Sequence, residues 1–432
     1  MLDWLLAVGL VLSAATQLRL EGLPVGVGEA LLLLWSYLTG LEIIRQKRLR
    51  PPPHLRPFVF FFVTLLLLLI TANLLQVERM NGLVEGAIHD TVAFAFLFVV
   101  VLTFCFSSPS AGAERRILRY FVAMTVLLNG ALLVLSLVLP RIGGVIELSN
   151  GIRFLGLSAN PNQLGQLLST MPFLCVYFLF TEPSIKSRLL YLTLFGVSIV
   201  IGFASKSDAV IVSWIAATLL LVCTSMLTTL QQPLAKSSEM FNNILITLNL
   251  LLAALSLFLA AMWLPNVSAL MDDVFLEIES GDEGGIRLLL WTEALNSLVM
   301  SPIVGLGAGP QVVSPYFKVA REAHNSYLDF ALMVGVLGLG SFLVLISVIV
   351  FRSKVLGQPL LLGALVALLG FGFFHYIFRH PIFWFNLMLI AAMASQRAVA
   401  VRATPRVSRA AVPLSHSVSP QLVRPGLKGR RL

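Results

Sequence analysis

Residues 58–75 read FVFFFVTLLLLLITANLL, eighteen positions without one charged side chain. As an α-helix this run is about 27 Å long, close to the roughly 30 Å of a bilayer's hydrocarbon core. The flanks carry the polarity: PPPHLRP precedes it and QVERMN follows. The same alternation recurs outward in both directions. Further apolar runs cover 3–18, 27–43, 90–106, 117–139, 162–180, 189–203, 208–230, 243–264, 326–351, 358–376 and 382–396. Each is about long enough to span hydrocarbon, the shorter ones with snorkelling ends.

Composition points the same way. The 432 residues are 58% hydrophobic and only 12% charged, with a mean hydropathy of +0.91. A soluble domain carries about 25% charged residues. Half that amount cannot cover a surface facing water on all sides, so lipid covers much of the exterior. The expected fold is all-α: a polytopic membrane protein of about twelve transmembrane helices. The first run has no Lys or Arg before it and no small-residue cleavage site after it, and reads as a signal anchor.

Charge orients the chain. With the N-terminus in the cytoplasm, 21 of the 30 Lys and Arg fall on inside segments and nine outside. That bias predicts cytoplasmic N- and C-termini. The transmembrane domain is read as 1–396. The tail, 397–432, mixes Arg, Pro, Ser and Val without a helical period and reads as a disordered basic segment near anionic headgroups. The basic excess punctuates spans and forms no aromatic-interleaved soluble face, so no nucleic-acid partner is expected.

The longest outside segment is one large extracytoplasmic loop over 265–325. Its piece IRLLLWTEALNSLVM, with Leu288 and Trp291 on one stripe, predicts an amphipathic helix on the membrane surface. Pro302 and Gly305, Gly307 and Gly309 then break it. GLGAGP lacks the GxxxxGK[ST] spacing and a preceding strand, which excludes a nucleotide loop. Cys105, Cys175 and Cys223 lie inside apolar runs, without a CxxC pair. HExxH, paired His/Cys zinc spacing and GxSxG are absent, so neither a metal nor a cofactor is expected.

Nine basic residues remain outside. Arg19, Arg79 and Arg141 sit at span ends, where snorkelling explains them. Others keep unusual company. Arg153 lies in NGIRFLGLSANPNQLG, where Asn160–Pro161–Asn162 also reads as a helix start, an Asn cap followed by Pro. Lys206 lies in FASKSDAVIV between two spans with almost no loop, and Asp208 is its local candidate for an ion pair. Arg287 opens the surface helix, with Asp282 and Glu283 beside it as salt-bridge candidates. His324 closes the loop in AHNSYLDF, where Asn325 and Tyr327 are placed to orient the ring.

In combination these motifs resemble the O-antigen ligase and O-antigen polymerase superfamily of bacterial envelope enzymes. The resemblance covers roughly 150–380. It rests on Arg287, Trp291, Pro302, Gly305, Gly307 and Gly309, then on His324–Asn325–Ser326–Tyr327 with Gly335 and Gly338. Upstream it rests on Arg153, Gly156 and Asn160–Pro161–Asn162, and on the turn Ser205–Lys206–Ser207–Asp208–Ala209. Two positions depart from the pattern: Lys206 stands where Arg is expected, and Asp208 is inserted before Ala209. Lys keeps the charge and loses the bidentate fork.

The resemblance implies a type-C glycosyltransferase-like membrane fold in the bacterial inner membrane. It implies transfer of a glycan from a polyprenyl-diphosphate donor to a glycan or lipid acceptor on the extracytoplasmic side. His324 would be the general base, and Arg287 with Arg153 would clamp the diphosphate. Lys206 would be an auxiliary cation, and Asn325 and Tyr327 would line the substrate site. The alternative is a transporter or flippase of a lipid-linked glycan, whose paired repeats the two halves of this chain do not display. A scaffold without activity would leave the outside His and cations unexplained.

Overall fold

The computed structural model describes residues 2–19, 25–47, 50–75, 84–107, 109–231, 283–312 and 320–403. The expected span at 243–264, most of the first part of the 265–325 loop and the tail beyond 403 lie outside the described residues. The rest is helical: α1 (Leu2–Leu12), α2 (Val27–Gln46), α3 (Arg56–Leu75), α4 (Val84–Ser107), α5 (Ala111–Ser136), α6 (Pro161–Leu168), α7 (Met171–Thr181), α8 (Ile185–Ser205) and α9 (Asp208–Gln231), followed by α10 (Glu283–Leu298), α11 (Ser326–Arg352), α12 (Pro359–Phe371) and α13 (Pro381–Ala403). A two-residue hairpin pairs Arg141–Ile142 with Ile146–Glu147.

Seven stretches among the described residues are long and apolar enough to cross a membrane, and four shorter apolar helices accompany them. A multi-pass membrane protein is the architecture these lengths support. Eleven of the expected apolar runs are thus helical, with three changes of shape. α1 stops at Leu12, and the chain leaves through a 3-10 turn at Thr16–Leu18. Gly28 of α2 packs on this end of α1 so closely that a Cβ there would lie 2.1 Å from the Ser13 nitrogen. The run 162–180 divides into α6 and α7 at Ser169–Thr170. α13 continues to Ala403, seven residues past the boundary expected at 396.

The core beneath the outer end is aromatic. Phe61 of α3, Phe330 and Phe342 of α11, Phe378, and Phe383 and Trp384 of α13 form a continuous cluster, with Phe342 and Phe378 centroids 4.6 Å apart. Edge-to-face and tilted pairs of this kind add to the area they bury. Trp384 donates its Nε1–H to the Phe378 carbonyl at 2.7 Å, so its polar atom is not stranded.

Ion pairs sort the molecule into two ends. At one end His54 meets Glu114 at 2.7 Å, Arg116 meets Asp3 at 2.8 Å, and Arg115 and Arg119 share Glu182. At the other, Arg19 pairs with Glu29 at 2.5 Å, Arg141 with Glu147 at 2.8 Å, and Arg379 with Asp90 at 3.2 Å and with Glu322. Every pair joins residues that the alternating spans place on one side. The pairs define which residues share an end, and the Lys and Arg bias is the ground for placing the first end in the cytoplasm. In a Cys223→Ser background, Ile152→Cys should react with a membrane-impermeant maleimide on intact cells. Lys186→Cys should react only after permeabilisation. The reverse pattern overturns the orientation.

Candidate functional site

The outer end is assembled from four short segments, each held by its own backbone chemistry. The Arg153 segment is pinned from both sides. Its N–H donates to Asn150 Oδ1 at 2.7 Å, and the next N–H, of Phe154, donates to the Ala204 carbonyl of α8 at 2.9 Å. Arg153 therefore sits beside the α8–α9 turn. Asn160–Pro161–Asn162 begins α6: Asn160 Oδ1 accepts from the Asn162 N–H at 2.7 Å, and Pro161 takes the first turn. Asn162 does more than continue the helix. Its Oδ1 accepts from the Ser207 hydroxyl at 2.9 Å, which ties α6 to the turn carrying Lys206.

Lys206 caps α8 in the left-handed region, φ 46°, where a side chain is uncommon. It forms no salt bridge with Asp208. The cations that act on the Asp208 carboxylate are Arg153 and Arg287. Both arginines, 134 positions apart in the chain, thus lie within electrostatic range of Asp208, although neither forms a salt bridge with it. The expected partners of Arg287, Asp282 and the side chain of Glu283, lie outside the described residues.

His324 is also left-handed, φ 53°, and its neighbours explain how it stays there. Asp329 of α11 is buried, and its carboxylate accepts from the Ala323 N–H at 2.7 Å and from the Asn325 N–H at 3.2 Å. The two bonds bracket His324. Trp291 of α10 donates Nε1–H to the Ala323 carbonyl at 3.0 Å, and Glu322 is paired to Arg379. The side chains of Asn325 and Tyr327, expected in a substrate site, are engaged by the scaffold. Asn325 Oδ1 caps α11 through the Tyr327 and Leu328 N–H groups, and the Tyr327 hydroxyl donates to the Leu369 carbonyl at 2.7 Å. Ser326 joins α11 to the 372–377 segment: its hydroxyl donates to the His375 carbonyl at 2.6 Å and accepts from the Ile377 N–H at 2.9 Å.

The glycine segment after α10 is a joint. At Gly335 α11 leaves helical geometry, φ 67° and ψ −173°, which frees backbone groups on both sides of the break. Residues 302–307 take them up. Leu306 and Gly307 donate to the Leu332 and Met333 carbonyls at 2.6 and 3.1 Å, and the Pro302 and Ile303 carbonyls accept from Val336 and Leu337 at 2.8 and 3.3 Å. A Cβ on Gly335 would lie 2.0 Å from the Ile303 oxygen. α10 packs on this joint through Leu290 and Ala294. Leu288, expected on one apolar stripe with Trp291, is exposed, while Trp291 is partly buried.

Burial lowers the His324 pKa below its usual 6.5; Arg287, Arg379 and Arg321 act in the same direction and Glu322 opposes them. His375 is pushed down to about 3 by burial first, then by Arg287 and His324. Arg287 is thus within electrostatic range of Asp208, His324 and His375. The structure brings Arg153, Arg287 and His324 to one region, with Lys206 on the adjoining turn. A neutral imidazole surrounded by guanidinium groups can accept a proton while those groups hold an anion.

Among the described residues, no group of three His, Cys, Asp or Glu is placed to hold a metal ion. Asp329, His375 and Arg379 are the contributors that sequence reasoning did not single out. Asp329 had a signal: it is an acidic residue inside an otherwise apolar span, which marks structure or function at a buried position. No known protein family, curated protein or solved structure matches this chain.

Asp329→Ala should strand the Ala323 and Asn325 amides. The expected loss is about 3 kcal/mol of stability for two buried bonds to a carboxylate, read as a lowered thermal midpoint in detergent. Wild-type stability in that variant would show that the two bonds do not hold the loop.

Proposed function

We propose that the protein is a metal-independent membrane glycosyltransferase that moves a glycan from a polyprenyl-diphosphate donor to an acceptor hydroxyl, as an O-antigen ligase or polysaccharide polymerase does. The observation that carries the reading is the meeting of separate segments at one end of the molecule: Phe154, next to Arg153, bonds to Ala204 of α8, Ser207, next to Lys206, bonds to Asn162 of α6, and Arg287 lies within electrostatic range of His324. The loop motif that suggested the superfamily supports it. So do the two ends of the molecule, because the basic excess lies opposite this site. The type-C fold and the inner-membrane location belong to the same proposal.

The chemistry follows from those positions. The acceptor oxygen attacks the anomeric carbon as His324 takes its proton. The bond from that carbon to the phosphate oxygen breaks, and the polyprenyl diphosphate leaves with the electron pair. Arg153 and Arg287 stabilise the charge that grows on the leaving oxygens, with Lys206 as a further cation. Among the described residues none of these three forms a salt bridge, which leaves their hydrogen-bond donors for the substrate. No nucleotide is needed, because the donor carries its own activation.

A transporter of lipid-linked glycan is the second reading, favoured by the interruptions between α6 and α7 and at Gly335. The joint at Gly335 argues for rigidity instead, since four backbone bonds close it. A new glycosidic bond in vesicles containing only this protein separates transfer from transport.

The left-handed backbone at residue 324 decides which variant to use. Alanine there adds strain, whereas asparagine is among the side chains that tolerate the region. His324→Asn should retain the fold and donor binding and lose transfer by about a hundred- to ten-thousandfold. Arg287→Lys should be strongly impaired, because a point charge does not replace a planar fork, and Lys206→Arg should be tolerated. Full transfer by His324→Asn in proteoliposomes leaves the imidazole a structural group.

The base works in its neutral form, and its pKa is lowered in the folded chain. Activity should therefore be maintained as pH falls through 6.5 and decline only below that value. An acidic limb above 6.5 in a kcat/KM profile contradicts the assignment.

A further inference from the structure

A cleft of about 390 Å³ lies between α2 and α4, beside the outer ends of α6 and α13. Its apolar walls are Leu33 of α2 and Val92, Phe96 and Val99 of α4. Leu33, Val92 and Val99 are each nearly half exposed although they lie within spans, so the cleft opens toward lipid. From His89 to Val99 helix α4 rises about 15 Å, half of a hydrocarbon core of about 30 Å. The walls are therefore as deep as one leaflet.

The outer end of the cleft is polar. It is made by Arg19, Glu29, His89, Gln163 and Arg379. Both guanidinium groups are neutralised, Arg19 by Glu29 at 2.5 Å and Arg379 by Asp90 at 3.2 Å and by Glu322. His380 borders the same space, and burial, reinforced by Arg379, pushes its pKa down to about 3, so it is uncharged. This end offers hydrogen bonds with both of its guanidinium groups paired, unlike Arg153, Lys206 and Arg287, which close no salt bridge among the described residues. A diphosphate calls for the unpaired cations; a hydroxylated head suits the paired end. The two regions adjoin. Glu322, bound to Arg379, stands two residues before His324, and Gln163 follows Asn162, which accepts from Ser207 beside Lys206.

We infer that the α2–α4 cleft takes the hydrocarbon chain of a membrane-borne acceptor, whose hydroxylated sugar head then reaches the His324 loop from the lipid side. The word acceptor rests on the glycan-transfer reading; the seating of a lipid chain does not.

The test uses the full chain in phosphatidylethanolamine–phosphatidylglycerol vesicles doped with an alkyl glycoside that carries a diazirine in its chain. Cross-links should concentrate on the α4 peptide containing Val92–Val99. Ala93→Trp, which fills the cleft, should reduce them about tenfold or more, the effect of about 1.4 kcal/mol. Val99→Trp is the second variant, with thermal unfolding reporting the fold of each. In transfer assays Ala93→Trp should raise KM for the lipid-borne acceptor with little change in kcat. Labelling spread evenly over Phe60, Leu67 and Leu74 of α3, or unaffected by both variants, overturns the cleft as a lipid site. Cleft labelling with unchanged KM overturns its role for the acceptor. Cleft labelling in a wild-type chain that forms no glycosidic bond retains the lipid site and removes the transfer reading itself.

Discussion

At Gly335, a buried position, the backbone of α11 leaves the helix, and the outer end depends on how that break is closed. A peptide N–H or carbonyl without a partner in such surroundings costs several kcal/mol. Here the carbonyls of Leu332 and Met333 and the amides of Val336 and Leu337 all bond to residues 302–307. Closing the break also fastens the segment between α10 and α11 to the membrane domain. Ala308 extends the attachment to α3, its N–H donating to Asn73 Oδ1 at 2.8 Å. The glycines provide close approach and left-handed turns, and no phosphate is needed to explain them.

With the joint fixed, the loop bearing His324 is attached at both ends. Trp291 holds it from α10, Asp329 from α11 and Arg379, through Glu322, from the start of α13. A left-handed histidine costs backbone energy and persists only where the surroundings over-determine it. Three elements supply that constraint. The strained residue is also the one whose imidazole burial keeps neutral, as a proton acceptor requires.

Cations divide into two kinds at this end. Arg19, Arg141 and Arg379 are matched with carboxylates and brace the scaffold. Among the described residues Arg153, Lys206 and Arg287 form no salt bridge, Arg153 and Arg287 acting on Asp208 only at longer range, and they lie where the α8–α9 turn meets the 153–154 segment and α10. In sequence the two kinds look alike, since each is a basic residue near the end of an apolar run. Pairing is a property of the fold, because Arg379 meets Asp90 across 289 positions of chain.

Much was legible from local pattern. The spans, the sharing of ends by charged residues, the α6 cap at Asn160 and the break after α10 depend on residues within a few positions of each other. Hydropathy, capping and turn chemistry report such features directly. Three features were not legible. Which face of α10 packs was one, because Leu288 and Leu290 are equally apolar and only contact with Leu306 and Val312 selects Leu290. The partners of Asn325 and Tyr327 could not be read either: their hydrogen bonds go to the α11 cap and to Leu369. Arg287 joins Arg153 and His324 only in three dimensions. Local sequence thus determined which segments form long apolar helices and where helices begin and end, because hydropathy and capping act over one or two turns. Tertiary structure decided how Arg379 is neutralised and that Trp291 holds the His324 loop, because those bonds join segments far apart in the chain.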